Sequence, residues 1–351
     1  MQNFCICIPT YQRDDSLILL LKQLMEQSLL PDCIVIIDGV PNADNTSTVL
    51  DNLKNVNLRI PITQIYLPSN HANLPYQRFL GYKFAHQKNY ELILFIDDDI
   101  SLLQKDSIFS VMKPLLDNPQ IFGVSTNISF EVSKKQPKNV SSFIIEKLGS
   151  SKKYIPGDIT PSGNRIPIYC SNYEYEDVSY LSGGVMGYRM KYLQLENFSQ
   201  DLFALYERKL GKGEDTILSL RVRGKIPFKI LCSNKYFFHP DNNPHAYPTE
   251  AFRRGYSIAY SRRMINDNYR GINKVRIIDK LELYKSYLGT NIINFFDFLF
   301  SLNSKKFSYF WGYATGSLRG IFQKPTTKNL APHINWWKDA EEALKNMIII
   351  K

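Results

Sequence analysis

The first hundred residues alternate between short apolar runs and amphipathic segments, and no other feature of the sequence constrains the fold as strongly. Phe4–Ile8 is an apolar run closed by Pro9, and Asp14 or Asp15 can then cap a helix whose leucines recur at helical spacing. Ile34–Ile37 is a continuous β-branched run, which is typical of a strand covered on both faces. Four strand–helix repeats of this kind predict a parallel sheet of the doubly wound type.

The same patterns predict the remaining elements. Strands are expected over Ile60–Leu67, Leu92–Ile96 and Tyr236–Phe238, and helices over Asp44–Leu53, Tyr76–His86 and Glu214–Arg223. Lys134–Tyr173 is polar and contains several prolines, which predicts a long loop over a site. From Thr249 onward the pattern predicts basic helices and shows no clear strand.

Positive charge is unevenly distributed along the 351 residues. The formal net charge is +10, and 17 Lys and Arg against 9 Asp and Glu from Asp241 to Lys351 account for +8 of it. We therefore expect the basic surface to belong to an appendage that faces phosphate groups or a membrane rather than to a nucleic-acid groove. The hydrophobic fraction of 44% excludes a disordered chain.

The cysteines and the longest apolar tracts bear on location. Five cysteines, most of them in apolar runs and without a CxxC pair, favour buried reduced thiols in a cytosolic protein. The first residues lack the basic and apolar regions of a signal peptide. Charged residues interrupt Leu17–Leu30 and Asn291–Leu302 before either tract reaches the roughly 18–20 apolar residues of a membrane span. A cytoplasmic protein is therefore predicted.

Three consecutive aspartates, Asp97–Asp99, directly follow the predicted strand Leu92–Ile96. In an open parallel sheet, ligands bind beyond the carboxyl ends of the strands. Adjacent carboxylates repel one another unless a cation lies between them, and oxygen ligands suit Mg²⁺ or Mn²⁺, especially where phosphate oxygens complete the coordination shell. The triplet therefore predicts a metal site, with a solvated acidic turn as the alternative.

Six short motifs follow one another along the chain: Cys7–Arg13, Ile37–Gly39, Gln77–Gly81, Asp97–Asp99, Leu181–Gly184 and Gly213–Asp215. In this order and approximate spacing they resemble the family 2 glycosyltransferases of GT-A fold. The resemblance implies an α/β fold with a Rossmann-like, mostly parallel sheet, helices on both faces and a C-terminal helical extension. Residues 1–240 would form the GT-A catalytic domain, with a nucleotide-binding half at about 1–100 and an acceptor half at about 101–240. Residues 241–351 would form a basic, aromatic-rich helical extension.

The resemblance implies a donor site at the ends of the first strands. Its nucleotide-binding residues would be Pro9, Thr10, Tyr11, Arg13, Asp38, Arg78, Asp97 and Asp98. Asp38 would accept a hydrogen bond from the imide N–H of uracil, and Asp97 would contact the ribose or the sugar. Ile37 and Val40 flank Asp38-Gly39 where the family often has Asp-Asp-Gly-Ser, and Phe79 replaces the asparagine of its Arg-Asn-x-Gly motif. Taken alone, Asp38-Gly39 is equally typical of a plain turn.

A divalent cation, Mn²⁺ or Mg²⁺, is implied as the cofactor. By resemblance its ligands would be Asp97 and Asp99, with His239 as the third candidate and His245 as a weaker competitor. A structural histidine is the alternative at both positions. The cation would neutralise the charge that grows on the departing diphosphate.

The acceptor side of the site is expected near two later motifs. Ser182, Gly183 and Gly184 would let the backbone approach the sugar closely, although a tight turn without a ligand has the same composition. Asp215 would act as the general base on an acceptor hydroxyl, and Glu214 would help to hold the acceptor. Simple capping of the helix that begins there is the alternative. The resemblance implies inversion at the anomeric carbon.

The C-terminal third allows several interpretations. Arg253, Arg254, Arg262 and Arg263 could reach the donor diphosphate, meet anionic lipid headgroups or form a solvated face. Aromatic residues interleaved with lysines over Phe295–Trp311 suit a lipid boundary, but equally a helical subdomain or a dimer interface. Peripheral attachment to the inner face of a membrane is the hypothesis.

The leading functional prediction is metal-dependent, inverting transfer of a hexosyl or deoxyhexosyl group. The donor would be a UDP- or dTDP-sugar and the acceptor a hydroxyl of a glycan or glycolipid, in polysaccharide or glycolipid assembly, without a nucleic-acid partner. A nucleotidyltransferase is the enzymatic alternative, although the glycine-rich loop with a following lysine or arginine is missing after the first strand. Two further hypotheses are a nucleic-acid-binding protein, which the basic charge suggests, and a sugar-nucleotide-binding relative without catalysis.

Overall fold

The computed structural model describes residues 3–39, 62–130, 156–160, 162–166, 174–222, 228–240, 250–272, 277–323 and 330–350. The strands in these residues are β1 (Phe4–Thr10), β2 (Cys33–Asp38), β3 (Thr63–Pro68), β4 (Leu92–Ile96), β5 (Ser101–Leu102), β6 (Gly123–Thr126), β7 (Ser129–Phe130), β8 (Tyr175–Val178), β9 (Val185–Arg189), β10 (Phe228–Leu231), β11 (Phe237–His239) and β12 (Ile348–Ile349). The α-helices are α1 (Asp14–Met25), α2 (Leu74–Gln87), α3 (Ser107–Asp117), α4 (Gln200–Glu207), α5 (Glu214–Val222), α6 (Ala251–Ile272), α7 (Ile277–Ser301), α8 (Ser304–Phe322) and α9 (Trp336–Lys345). The predicted helix over Asp44–Leu53 and most of the predicted Lys134–Tyr173 loop lie outside the described residues.

Nine strands form one sheet in the order β12-β3-β2-β1-β4-β9-β6-β10-β8. β1 pairs in parallel with both β2 and β4, so that Cys5 lies opposite Cys33 on one side and Ile93 on the other. β2 pairs in parallel with β3, whereas β8, β9 and β12 pair antiparallel with their neighbours. The sheet is mostly parallel, which confirms the expected α/β class.

Helices cover both faces of the sheet. Successive side chains of a strand point to opposite faces, so a continuous apolar run makes both faces apolar. Cys5 and Cys7 of β1 belong to an apolar cluster with α2 and α9. Ile6 and Ile8 belong to a second cluster with α1 and α3. β1, β2 and β4 are buried along their whole length, as the continuous apolar runs predicted.

Two local predictions can be compared with the structure. The predicted cap of α1 is wrong, since Arg13 occupies the N-cap position without a side-chain capping bond and Asp14 is the first helical residue. The guanidinium of Arg13 is bound to aspartates at the end of β4 instead. Four cysteines are buried and free, as expected: Cys5, Cys7, Cys33 and Cys232. Cys170 lies outside the described residues.

The C-terminal third consists largely of helices, and its end returns to the sheet. α8 packs along α6, and Trp336 of α9 is buried in the apolar cluster beside α2. β12 pairs antiparallel with β3, with Ile348 opposite Tyr66. The expectation of no strand after Thr249 is therefore wrong, because a run this short carries no periodicity. Among the described residues, no helix is long and apolar enough to cross a membrane.

Candidate active site

The carboxyl ends of three parallel strands bring together acidic residues that the motifs identified. Asp38 ends β2 opposite Thr10 at the end of β1, and Asp97 directly follows β4. The Asp97 N–H donates to the carbonyl oxygen of Gly184 at 2.9 Å, so the turn before β9 lies against the same edge. The expected nucleotide residues and the expected glycine turn therefore meet at one edge of the sheet.

Arg13 and Thr10 hold the second and third aspartates of the triplet. The Arg13 guanidinium donates to Asp98 Oδ1 at 3.0 Å and also to Asp99. The Thr10 hydroxyl donates to Asp98 Oδ2 at 2.8 Å. Burial raises the pKa of Asp98 to about 6, although Arg13 and the Thr10 hydroxyl act to lower it. One positive charge thus lies between two neighbouring carboxylates and offsets their mutual repulsion.

The end of β2 is fixed by polar side chains from β3 and α2. Asp38 is fully buried, and Tyr66 Oη donates to its Oδ2 atom at 2.9 Å. Gln77 Nε2 donates to the carbonyl oxygens of Thr10 at 2.9 Å and of Ile37 at 2.7 Å. These bonds join the first two strands where their ladder ends. Nothing in the sequence pattern singled out Tyr66, because it alternates as an ordinary strand residue.

Arg78 links the two halves of the site. Its side chain is buried, and it donates to Asp97 Oδ1 at 2.8 Å and to Glu214 Oε1 at 2.7 Å. Burial acts to lower the pKa of Arg78, but the two carboxylates hold it above its ordinary value, so the guanidinium stays charged. Within the described ranges, its buried Nε atom has no hydrogen-bond partner. The motif arginine therefore connects the end of β4 to the start of α5.

Asp215 lies at the start of α5 and is bound by several donors. The Gly183 N–H donates to Oδ2 at 2.7 Å, and the Thr216 N–H donates to Oδ1 at 2.7 Å. Arg165 Nη1 also donates to Oδ2 at 2.8 Å. Burial alone would raise the pKa of Asp215, but Arg165 and the two backbone donors outweigh it and lower the pKa. The carboxylate is therefore ionised at neutral pH.

The glycine turn places its backbone against Asp215. Gly184 has φ of +94°, and a Cβ atom there would lie 2.7 Å from Ile128 Cδ1, so a larger residue would be strained and crowded. A Cβ atom on Gly183 would lie 3.2 Å from Asp215 Oδ2. Glycine at both positions therefore allows the N–H of the turn to reach the carboxylate.

Glu214 lies beside Asp215 in a different environment. It is bound by Arg78 and by the hydroxyl of Tyr206. Burial raises the pKa of Glu214, and the neighbouring Asp215 raises it further, whereas Arg78 lowers it. The two adjacent carboxylates are thus shifted in opposite directions, and Asp215 is the one that stays ionised more readily.

His239 ends β11 next to the acidic triplet. Its Nε2 atom lies 3.4 Å from Asp99 Oδ1, and its Nδ1 atom lies 2.7 Å from the carbonyl oxygen of Pro240. Among the described residues, no group of three or more His, Cys, Asp and Glu side chains is arranged to hold a metal ion. Asp97 is directed to Arg78 rather than to this pair. His245 lies outside the described residues.

Other expected residues lie at the border of the site. Pro9 is buried within β1, Tyr11 is 46% exposed beyond its end, and the carbonyl oxygen of Ser182 accepts a bond from Ser125 at 3.4 Å. Arg165 and Tyr206 contact the carboxylates, but the motifs did not identify them. The single sequence signal for Arg165 was its position in Lys134–Tyr173, the loop that was expected to lie over a site.

Comparison with known proteins places this geometry in context. No curated protein sequence matches the chain. Among solved structures, residues 1–349 of TarS from S. aureus match with 14% identity over 91% of each chain and a TM-score of 0.45. The same protein in complex with UDP-GlcNAc gives a TM-score of 0.47, with the same identity and the same coverage of both chains. The mannosyltransferase PcManGT from Pyrobaculum calidifontis, in complex with GDP-Man and Mn²⁺, matches with 10% identity over 92% of this chain and 88% of its own, with a TM-score of 0.47.

The family comparison covers the part of the chain that carries most of the site. The model of glycosyl transferase family 2 matches residues 5–195, which is more than half of the chain. This range includes the ends of β1, β2 and β4, the acidic triplet and the glycine turn. The chain therefore belongs to glycosyl transferase family 2 and has the GT-A fold that its motifs led us to expect.

Proposed function

We propose that this glycosyltransferase moves a hexosyl or deoxyhexosyl group from a UDP- or dTDP-sugar to a hydroxyl of a glycan or glycolipid, with inversion. The observation that carries the proposal is the position of Asp215. It is ionised, it is bound by the Gly183 N–H, and Arg78 links the neighbouring Glu214 to Asp97. Direct displacement at a sugar carbon needs a base that takes the proton of the attacking hydroxyl, and an ionised carboxylate can do this. Asp215 lies close to the sheet edge where the donor would bind.

Residues 1–240 form the catalytic unit in this proposal, with the nucleotide half at about 1–100 and the acceptor half at about 101–240. The donor would contact the nucleotide residues at the ends of the first strands: Pro9, Thr10, Tyr11, Arg13, Asp38, Arg78, Asp97 and Asp98. Asp38 would select a base with an imide N–H, which uracil and thymine share. The acceptor sugar would lie against Ser182, Gly183 and Gly184.

Asp215 takes the proton of the acceptor hydroxyl as the hydroxyl oxygen attacks the anomeric carbon in line with the departing diphosphate. The Gly183 and Thr216 N–H groups orient the carboxylate, and the Arg165 contact keeps it ionised before the acceptor arrives. Glu214 stays bound to Arg78 and Tyr206, and it would hold a second acceptor hydroxyl. One base and one displacement invert the configuration.

Asp99 and His239 supply the types of donor atom that a divalent cation, Mn²⁺ or Mg²⁺, binds. A carboxylate oxygen and an imidazole nitrogen face each other at 3.4 Å, and the Nδ1 contact with Pro240 orients the ring. Asp97 is the third proposed ligand, and it would have to exchange its contact with Arg78 for the cation. A bound cation would supply positive charge that stabilises the leaving diphosphate. Arg13, which contacts Asp99, would compensate part of the acidic charge beside such a cation.

The test is the release of nucleoside diphosphate from UDP-, dTDP-, GDP- and CDP-sugars, measured with Mn²⁺ and with EDTA in the presence of a panel of glycan and glycolipid acceptors. We expect turnover of uracil- or thymine-linked donors with Mn²⁺ only, and an anomeric product inverted relative to the donor. Undiminished turnover in EDTA would contradict the metal dependence, and a retained configuration would contradict the role of Asp215.

We also propose that the C-terminal helices rest on the anionic inner face of a membrane. Helices α7 and α8 and the turn between them expose large apolar side chains, including Phe300 at 88%, Leu302 at 80% and Trp311 at 60%. Lys305 and Lys306 are exposed among them, so apolar and basic groups occur together as at a lipid boundary.

Vesicle co-sedimentation tests this attachment. We expect binding to anionic but not to neutral vesicles, and loss of binding in a Phe300→Ser, Trp311→Ser double variant, because both rings would leave the lipid boundary. Phe109→Ser on α3, where the side chain is also exposed, serves as the control and should bind like the wild type. Equal sedimentation with neutral and anionic vesicles would contradict the proposal.

A further inference from the structure

We propose that Arg165, Lys212, Arg254 and Arg262 form a phosphate-binding subsite beside Asp215, and that the acceptor carries the phosphate. This inference rests on the proposed function, because it assigns the acceptor side of the site to the region around that base. It specifies the chemical class of the acceptor, which is a hydroxyl compound that bears a phosphate group near the reacting hydroxyl.

Three segments of the chain converge at this place. A Cβ atom on Gly163 would lie 2.6 Å from the carbonyl oxygen of Arg262, so the loop at 162–166 packs directly on α6. A Cβ atom on Gly213 would lie 2.5 Å from Ser261 Oγ, so the segment that leads into α5 packs on the same turn of α6. Apolar side chains from all three segments form one buried cluster beneath these contacts: Ile159, Ile217, Tyr260 and Ile265.

The same contacts bring the cations together. Arg165 follows Gly163 by two residues and reaches Asp215 at 2.8 Å. Lys212 directly precedes Gly213, and Arg262 directly follows Ser261. Arg254 lies about two turns before Arg262 on α6. Arg254 and Arg165 are exposed, whereas Lys212 and Arg262 are half-buried, so a ligand can approach from solvent.

The local field is positive. Burial lowers the pKa of Lys212 to about 8, and the charges of Arg165, Arg254 and Arg262 lower it further, whereas Asp215 raises it. The Arg262 guanidinium donates to the neutral hydroxyl of Ser286 at 3.0 Å, a contact that orients it without neutralising it. Three guanidinium groups and the Lys212 ammonium thus lie near Asp215, with Glu214 beside it, and guanidinium groups match the oxygens of a dianionic phosphate.

The location assigns the phosphate to the acceptor rather than to the donor. The expected nucleotide residues lie at the ends of β1, β2 and β4, where Thr10 and Arg13 contact Asp98. The cations instead surround Asp215, which receives the acceptor hydroxyl in the proposed function. A phosphate held there would fix the acceptor with its hydroxyl at the base, and it would draw Arg165 from Asp215 onto the substrate.

The test uses inorganic phosphate as the probe, because it carries the proposed chemistry without an unknown sugar. The full chain is saturated with UDP and Mg²⁺, which is diamagnetic, and phosphate binding is followed by ³¹P NMR at constant ionic strength. We expect Arg254→Gln, Arg262→Gln to weaken phosphate binding about tenfold or more, since two charge-assisted contacts are lost. Arg253→Gln is the matched control, because Arg253 pairs with Glu250 at 3.2 Å, and it should bind like the wild type.

Affinity for UDP is measured on the same three proteins. Unchanged UDP affinity with weakened phosphate binding supports an acceptor subsite. Equal phosphate binding in the double variant and the wild type would overturn the inference, and so would a parallel loss of UDP affinity, which would assign the cations to the donor diphosphate. A wild type that binds neither UDP nor dTDP would instead contradict the proposed function.

A second arm separates two sources of the phosphate. Arg254→Gln, Arg262→Gln is introduced into the Phe300→Ser, Trp311→Ser protein, in which the proposed membrane contact of α7 and α8 is removed, and both proteins are sedimented with vesicles that contain phosphatidic acid. Loss of vesicle binding when the two arginines are replaced, in parallel with loss of phosphate binding, supports a subsite for the phosphate of a lipid-linked acceptor. Retained vesicle binding supports a subsite for a soluble phosphorylated acceptor.

Discussion

The buried Arg78 guanidinium joins two carboxylates from distant parts of the chain. Asp97 follows β4 and Glu214 begins α5, and both accept bonds from the same side chain at 2.7–2.8 Å. Arg78 thus fixes the position of Asp97, at the edge where the donor is expected, relative to the start of α5, where the expected base Asp215 lies. Because Arg78 lies within a recognisable motif, its importance could be predicted from sequence, but its two partners could not. A motif reports residue types along the chain and carries no distances between them.

Replacing Arg78 by methionine should destabilise the protein by about 3–5 kcal/mol, because two carboxylates would be left without their buried partner. Urea denaturation followed by circular dichroism measures the loss. Lys113→Met, which removes an exposed ion pair on α3, should change the free energy of unfolding by less than about 0.5 kcal/mol. Equal stability of the Arg78 variant and the wild type would show that the bridge is not structural.

Asp215→Asn should lower the rate of sugar transfer by about 10²–10⁴-fold, because an amide cannot take the acceptor proton. The affinity for UDP should change by less than about twofold, since the amide oxygen can still accept from Gly183 or Thr216. Asp117→Asn, an exposed carboxylate on α3, is the control for the loss of a negative charge. A transfer rate close to that of the wild type would remove Asp215 as the base.

At the scale of elements, the parallel strands were predictable and the polar loops were not. β1, β2 and β4 are buried on both faces, so their apolar runs coincide with their lengths to within two residues. β12 is a two-residue strand whose pairing depends on the distant β3, and no local pattern indicates it. Arg165 lies in a segment without periodicity, and tertiary contacts of that segment with α6 and with Tyr180 bring it to Asp215.

The docking of α9 shows how an element is held by charge as well as by packing. His71 lies between Asp339 of α9, at 3.0 Å, and Glu207 of α4, at 3.7 Å. Burial acts to lower the pKa of His71, but the two carboxylates outweigh it, so the pKa is above 6.5 in the folded chain. The protonated imidazole therefore helps to attach α9 to α4.

The contribution of His71 to stability should fall as the pH rises. Because the folded-state pKa lies above the unfolded value, the stabilisation is complete below about pH 6.5 and disappears as the pH passes the folded pKa. His71→Gln should therefore lose about 1 kcal/mol more at about pH 5.5 than at about pH 9, measured by urea unfolding. Asp339→Asn should reduce this pH dependence, and a difference that grows with pH would contradict the assignment.

Across the whole molecule, groups from residues as far apart as Thr10 and His239 lie at one edge of the sheet. The parallel strands β1, β2 and β4 position Thr10, Asp38 and Asp97. The small second sheet contains His239, and helix α5 contains Asp215. The order of motifs in the sequence could predict that these residues share an edge, since parallel strands end on one side. The pairing of His239 with Asp99 follows from strand register between β11 and β5, which sequence patterns do not specify.

Calorimetric titration of UDP into the wild type and into Asp99→Asn, each with Mn²⁺ and with EDTA, tests the donor site itself. We predict that the wild type binds UDP at least about tenfold more tightly with Mn²⁺, because a cation held by Asp99 would supply positive charge to the diphosphate. Asp99→Asn should bind UDP with the same weak affinity under both conditions. Equal affinity of the wild type with Mn²⁺ and with EDTA would contradict a metal-dependent donor site at the end of β4.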